Sequence, residues 1–209
     1  MKLTQKIEDT KSVMNFHYSE TYEIKDLAER RLFINGEIND EVIDTIVYHI
    51  LNYNREDKDI ERPEDRNPII LYINSPGGSV YSGYALISAM QCSKTPIYTV
   101  NQGMCASMAF LIFLAGSRRY SMLNSTFLMH DGQSGAMFET TSKLRDRVEF
   151  ETGQLEQHTK EYVLSRTSIN EKFYDEKYRV EWYMLPSEAE KYSICDYIVG
   201  EDCTIDEII

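Results

Sequence analysis

IILYINSPGGSVYSGYALISAMQC, residues 69–92, reads as a strand, a tight turn and a helix in direct succession. Ile69-Ile70-Leu71-Tyr72-Ile73 is apolar without alternation, the pattern of a strand covered on both faces. Asn74-Ser75-Pro76-Gly77-Gly78 ends it, and a helix runs from about Val80 to Cys92. The unit then repeats, with a strand over Pro96–Val100, a turn at Asn101-Gln102-Gly103 and a helix over Ala106–Leu114. Upstream, Leu32-Phe33-Ile34 is a short strand broken by Gly36. Asp40 then caps a helix whose apolar face is Val42, Ile43, Ile46, Val47, Ile50 and Leu51. Downstream, residues 120–122 and 127–129 are short strands, and Thr140 to about Ser165 is a long charged helix carrying Leu144, Val148, Leu155 and Tyr162. A helix near Ser187–Tyr192 leads into a strand around Tyr197–Val199. Strands alternating with helices predict an α/β fold with a largely parallel sheet and right-handed crossovers. Residues 1–25 are polar and patternless and read as a mobile arm, which leaves residues 26–209 as one domain. Residues 53–68, charged and containing two prolines, read as a surface connection.

Composition narrows the class without naming a job. The 209 residues are 42% hydrophobic and 27% charged, ordinary values for a globular chain. Thirty-four acidic residues against 22 Lys plus Arg give a formal net charge of −12. No Lys/Arg cluster is dense enough to form a basic stripe inside that field, which argues against nucleic acid and an anionic membrane surface as partners. The N-terminus has no apolar core of a signal peptide, and the most apolar run, Met104 to Ala115, is too short to span a bilayer. Cys92, Cys105, Cys195 and Cys203 show neither CxxC spacing nor a zinc pattern and read as scattered thiols. These features together point to a cytoplasmic location.

Two strand-to-helix turns carry the candidate chemistry. In Asn74-Ser75-Pro76-Gly77-Gly78-Ser79-Val80, adjacent glycines permit a sharp turn and leave amide N–H groups unshielded at a helix N-terminus. That is either an anion site or a plain tight turn; without GxxxxGK[ST] or a nearby lysine it is not a phosphate loop. In Gly103-Met104-Cys105-Ala106-Ser107-Met108-Ala109, Ser107 is either a helix cap or a hydroxyl presented to a substrate. A serine nucleophile needs a base. Of the four histidines, His17 lies in the arm, His49 on the first amphipathic helix and His158 on the long charged helix. His130 alone ends an apolar strand, where the carboxyl ends of strands line the crevice of an open α/β sheet. Elimination pairs Ser107 with His130.

LYINSPGGSVYSGYALISAMQ, GMCASMAFLIFLAG, LNSTFLMH and PSEAEKYSICD stand in the order found in the proteolytic subunit of the Clp protease, and the chain resembles that family over roughly residues 30–200. The resemblance implies the ClpP/crotonase-type βαβ superhelix with a protruding long handle helix, at about residues 135–165. It implies Ser107 as nucleophile, His130 as general base, and the backbone N–H groups of Gly78 and Met108 as the oxyanion hole. The family's aspartate falls on Glu181, counted back from Pro186. Glutamate serves this role in some Ser-His-acid hydrolases, with Asp175, or no functional acid, as alternatives. The resemblance further implies a serine endopeptidase acting on unfolded polypeptides inside stacked heptameric rings, a tetradecamer of this chain. No metal or cofactor is implied, and ATP enters only through a partner Clp-type ATPase. Residues 1–25, 53–68 and 131–138 match the family poorly, which bears on docking of such a partner. The nonstandard acid leaves open a ring-building subunit with weak or no activity. A phage capsid-maturation protease is a variant of the peptidase reading. A crotonase-like acyl-CoA enzyme would share the paired amides but has no need of both Ser107 and His130.

Overall fold

The computed structural model describes residues 18–132 and 140–208. Helix α1 (Tyr18–Ala28) leads into β1 (Arg31–Asn35), and three strand–helix units follow: β1 with α2 (Asp40–Glu56), β2 (Ile69–Ser75) with α3 (Val80–Cys92), and β3 (Ile97–Ala106) with α4 (Met108–Leu114). With β4 (Arg118–Met122) and β7 (Tyr197–Val199) they form a parallel sheet in the order β1-β2-β3-β4-β7. β5 (Thr126–Met129) runs parallel to the last residues of β3, and β6 (Trp182–Met184) pairs antiparallel with β5. The unbroken apolar run of β2 is explained by its two neighbours. Ile69, Leu71 and Ile73 pack with the helices, while Ile70 and Tyr72 join Val100, Tyr120, Val199 and Ile208 on the opposite face.

β3 continues through the expected turn at Asn101-Gln102-Gly103. It pairs with β4 up to Asn101 and with β5 from Met104 onward. Its register against β2 steps from Ile73↔Asn101 to Ser75↔Cys105, so two residues of β2 face four of β3. The polar triplet is therefore a bulge that re-aims the strand rather than ending it. Asn101 Nδ2 donates to the Thr126 carbonyl at 2.9 Å and ties the bend to β5. A Cβ on Gly103 would lie 2.7 Å from Asn74 Oδ1, so a larger residue there would have to displace the Asn74 side chain.

Other expectations shift at the edges. Residues 18–25, assigned to the arm, belong to α1; residues 1–17 lie outside the described residues. α2 is capped by Asn39, whose Oδ1 accepts from Val42 N–H at 3.0 Å, while Asp40 accepts from the Ser82 hydroxyl. The long helix is α5 (Thr141–Phe150), a π-turn (Glu151–Leu155) and α6 (Glu156–Arg166). No residue of α5 is buried, whereas α6 buries Tyr162 and Val163, and the Tyr162 hydroxyl donates to the Leu111 carbonyl at 3.0 Å. The outer half thus stands clear of the core as a handle; its expected start near residue 135 falls within the undescribed stretch 133–139. α7 (Glu171–Tyr178) and β6 lie where the sequence reading named no element, and α8 (Pro186–Lys191) follows.

The connection expected at 53–68 begins only after α2 ends at Glu56, and it is pinned from inside. Asp57 is 4% exposed and receives Arg30 Nη1 and Nη2 at 2.6 and 2.7 Å and the Thr95 hydroxyl at 2.9 Å. Arg66, also buried, donates to the Ile60 carbonyl at 2.9 and 2.8 Å. The Arg30 guanidinium, with help from Thr95, holds the Asp57 carboxyl below the usual carboxylate range. A carboxyl depressed in the folded state stabilises fully above its unfolded pKa, near 4, and loses that contribution as pH falls through its folded pKa. Asp57→Asn should therefore lose on the order of 3 kcal/mol at neutral pH. Denaturant titrations should show the gap from wild type closing as pH drops below about 4.

Candidate active site

The bulge carries β3 directly into Ser107, at the junction with α4. Ser107 has φ 53° and ψ −123°, a conformation side-chain-bearing residues rarely adopt. Although it occupies the N-cap position, its hydroxyl makes no capping hydrogen bond. Its N–H donates to the Leu128 carbonyl at 3.0 Å, and its own carbonyl accepts from Phe110 N–H at 3.0 Å. The first of these bonds fixes Ser107 beside β5, two residues short of His130.

The other turn is pressed against this elbow. Gly77 and Gly78 have φ of 101° and 149°. A Cβ on Gly77 would lie 2.7 Å from Ser107 Cβ, 2.8 Å from the Ala106 carbonyl oxygen and 3.0 Å from Met108 N. On its outer side the turn is clamped by Ile38, which donates to the Gly77 carbonyl and accepts from Ser79 N–H, both at 2.8 Å. Among the described residues, neither Gly78 N–H nor Met108 N–H donates to an acceptor in these turns and caps. The close approach of Gly77 thus sets the first turn directly against Met108 N at the start of α4.

A cavity of about 420 Å³ is lined by Ser107, His130, Gly78 and Met108 together. Glu181 is not on its lining. It is exposed, beside the buried Trp182, and accepts from the Tyr183 hydroxyl at 3.0 Å. The backbone register is nevertheless informative: Met129–Trp182 is the last pair of the antiparallel β5–β6 ladder, and His130 and Glu181 are the residues that adjoin it on the two chains. Asp175 is exposed and held by Lys160 at 2.8 Å, away from the cavity lining. Among the described residues no group of His, Cys, Asp or Glu is arranged to hold a metal ion, and no helix is long and apolar enough to cross a membrane.

The far wall of the cavity was not foreseen. It is built from α6 and α7 and includes Glu156, Val163, Tyr174 and Tyr178. The Tyr174 and Tyr178 rings stack at 5.1 Å, and burial pushes both phenols up, Tyr178 to about 12. A signal for this wall exists in Asn170-Glu171-Lys172-Phe173-Tyr174-Asp175-Glu176-Lys177-Tyr178. Asn170 Oδ1 accepts from Phe173 N–H at 2.9 Å as an N-cap, and Tyr174 and Tyr178 are four apart on one helix face.

A family model described as Clp protease matches residues 17–202. The chain belongs to the Clp protease family. It is 32% identical over 177 residues to the ATP-dependent Clp protease proteolytic subunit 1 of Prochlorococcus marinus, an alignment covering 84% of this chain and 86% of that one. It is 34% identical over 148 residues to a proteolytic subunit 2 of Treponema denticola, covering 70% of this chain and 64% of that one. A proteolytic subunit from Dehalococcoides mccartyi is 37% identical over 112 residues, covering 53% of this chain and 52% of that one. The parallel sheet with crossover helices and the projecting handle is this family's architecture, as the sequence motifs imply.

The contact of Gly77 with the elbow makes a direct expectation. Gly77→Ala should force Ser107 or Met108 to shift, because the new Cβ meets backbone as well as a side chain and φ is positive. A loss on the order of 1–3 kcal/mol is expected in chemical denaturation, with far-ultraviolet dichroism of the native state unchanged. A variant as stable as wild type would mean that the two turns are not in contact.

Proposed function

We propose that this chain is a serine endopeptidase of the Clp type, hydrolysing peptide bonds of unfolded polypeptides. The observation that carries the reading is one cavity shared by a strained serine with an uncapped hydroxyl, a histidine at a strand end and two open amides. Ser107 Oγ attacks the scissile carbonyl carbon while His130 takes its proton. The carbonyl oxygen gains negative charge and receives the N–H groups of Gly78 and Met108, which need no reorganisation to meet it. His130 then returns the proton to the leaving amine, and water repeats the sequence on the acyl-enzyme. Glu181 is the proposed orienting acid. Its place beside the last β5–β6 pair, which His130 also adjoins, supports this, and the role requires it to exchange the Tyr183 hydroxyl for the imidazole.

By family resemblance we extend the proposal to assembly. Copies of this chain form stacked heptameric rings in the cytoplasm, enclosing the sites and receiving unfolded chains from a Clp-type ATPase. One observation favours a second reading, a ring-building subunit of low activity: Glu181 is bonded to Tyr183 and not to His130.

Fluorophosphonate labelling, peptide hydrolysis and native mass test these readings together. Wild type should label and cleave, and Ser107→Ala should do neither. Glu181→Gln should lower kcat by on the order of 10²–10⁴. Labelling that persists in Ser107→Ala would overturn the nucleophile assignment, and an unchanged rate in Glu181→Gln would remove Glu181 from the mechanism. A particle that never labels would favour the low-activity reading, and a native mass of one 24.4 kDa chain would exclude rings.

A further inference from the structure

The cavity is larger than the catalytic groups need, and the part beyond Ser107 has a chemistry of its own. Its flanks are apolar, with Leu111, Leu155 and Val163 among them, while its far wall carries two polar groups, Tyr174 and Glu156, without a hydrogen-bond partner among the described residues. Tyr174 is only 2% exposed, yet its hydroxyl has no hydrogen-bond partner. Burial keeps that phenol protonated, so it is a neutral group able to give and receive a hydrogen bond. A buried hydroxyl without a partner is rare, because it has surrendered water for nothing in return.

Glu156 is the second group. It is half-buried at the start of α6, and among the described residues its carboxylate makes neither hydrogen bond nor ion pair. The cation one turn on, Lys160, would ordinarily answer it. Lys160 is instead taken by Glu171 at 2.9 Å and Asp175 at 2.8 Å, which dock α7 against α6. The other charged groups on the lining, Arg147 and Glu151, face each other, with Nε and Oε1 3.9 Å apart. Among the described lining residues, two carboxylates, Glu151 and Glu156, thus stand against one guanidinium. Asp131, next to the lining residue Gly132, adds a further negative charge near Tyr178.

We infer that this part of the cavity is a subsite for a cationic side chain, lysine or arginine, on the residue that supplies the scissile carbonyl. The inference rests on the peptidase reading and deepens it by naming the substrate class. The aliphatic stem of such a residue lies along the apolar flanks, and its charged head reaches the Glu156 carboxylate and the Tyr174 hydroxyl. A leucine in the same place would bury both groups unanswered, and a site that leaves its polar groups unpaired discriminates against that substrate.

The test uses the full chain in its assembled state and fluorogenic peptides that differ only in lysine, arginine or leucine before the cleaved bond. The lysine or arginine peptide should have a kcat/KM at least about tenfold above the leucine peptide, the scale of a charge-assisted hydrogen bond. Glu156→Gln and Tyr174→Phe should each reduce that ratio several-fold. A ratio taken on one sample cancels differences in folded or active fraction. Tyr174→Phe should also keep or raise the thermal midpoint, since the lost hydroxyl has no partner to leave behind. Normal fluorophosphonate labelling with leucine cleaved as fast as lysine, or a ratio unchanged in both variants, overturns the subsite and spares the peptidase. A protein that neither labels nor cleaves any of the three overturns the peptidase reading, and the subsite with it.

Discussion

A serine held at φ 53° persists only where its surroundings leave it no alternative, since such a conformation costs on the order of 1–3 kcal/mol. Three restraints act on Ser107. The β3 bulge aims the strand out of the β4 pairing, the Leu128 carbonyl holds the serine N–H, and the bare Cα of Gly77 occupies the space beneath its Cβ. The helix that follows is anchored at its far end as well. Arg166 donates to the carbonyls of Leu114 and Gly116 at 2.8 and 2.6 Å, so α4 cannot back away from the elbow. The sheet, the handle base and both turns therefore meet at one residue, and the position of the hydroxyl follows from the whole of this packing.

The strand–helix alternation was legible because the fold writes it in hydrophobic pattern. β2 must be covered on both faces, and the helix Val80–Cys92 and the strand Tyr197–Val199 fall where the sequence places them. That Ser107 and His130 share one cavity was legible for a related reason: one lies at a strand-to-helix turn and the other ends an apolar strand, where an open sheet gathers its chemistry. What could not be read lies in contacts between distant segments. Gln102 and Gly103 have turn composition but form a bulge, because β5 offers β3 a new partner that no local rule encodes. Asp57 reads as one more charge in a surface run until Arg30 and Thr95 are brought to it by the fold. Tyr174 lies in a stretch for which the sequence reading named no element, and only the docking of α7 on α6 makes it a cavity wall. The matching position for the acid, Glu181, follows from counting; the direction of its side chain, toward Tyr183, does not.

The net charge of −12 also takes on a different meaning. Two of the cations are spent inside the molecule on backbone carbonyls, with no acid consumed in exchange: Arg66 on Ile60 and Arg166 on the end of α4. Acidic side chains meanwhile outnumber basic ones at the exposed positions of α2 and α7. The surface is thus more acidic than the count suggests, and any packing of copies side by side must proceed against a repulsion that salt screens over about 10 Å.

The π-turn at Glu151–Leu155 changes how the handle should be read along its length. A π-turn holds one residue more than the α-helical turn it replaces, and one residue corresponds to about 100° of rotation. Leu144 and Val148, which a plain helix would align with Leu155 and Tyr162, are therefore out of phase with them. The apolar line drawn through the sequence is two separate lines in space. The base of the handle keeps the phase that the core demands, and the outer half is free to present another side. Within these five residues the helix holds slack that lets the two ends of one rod answer to different neighbours.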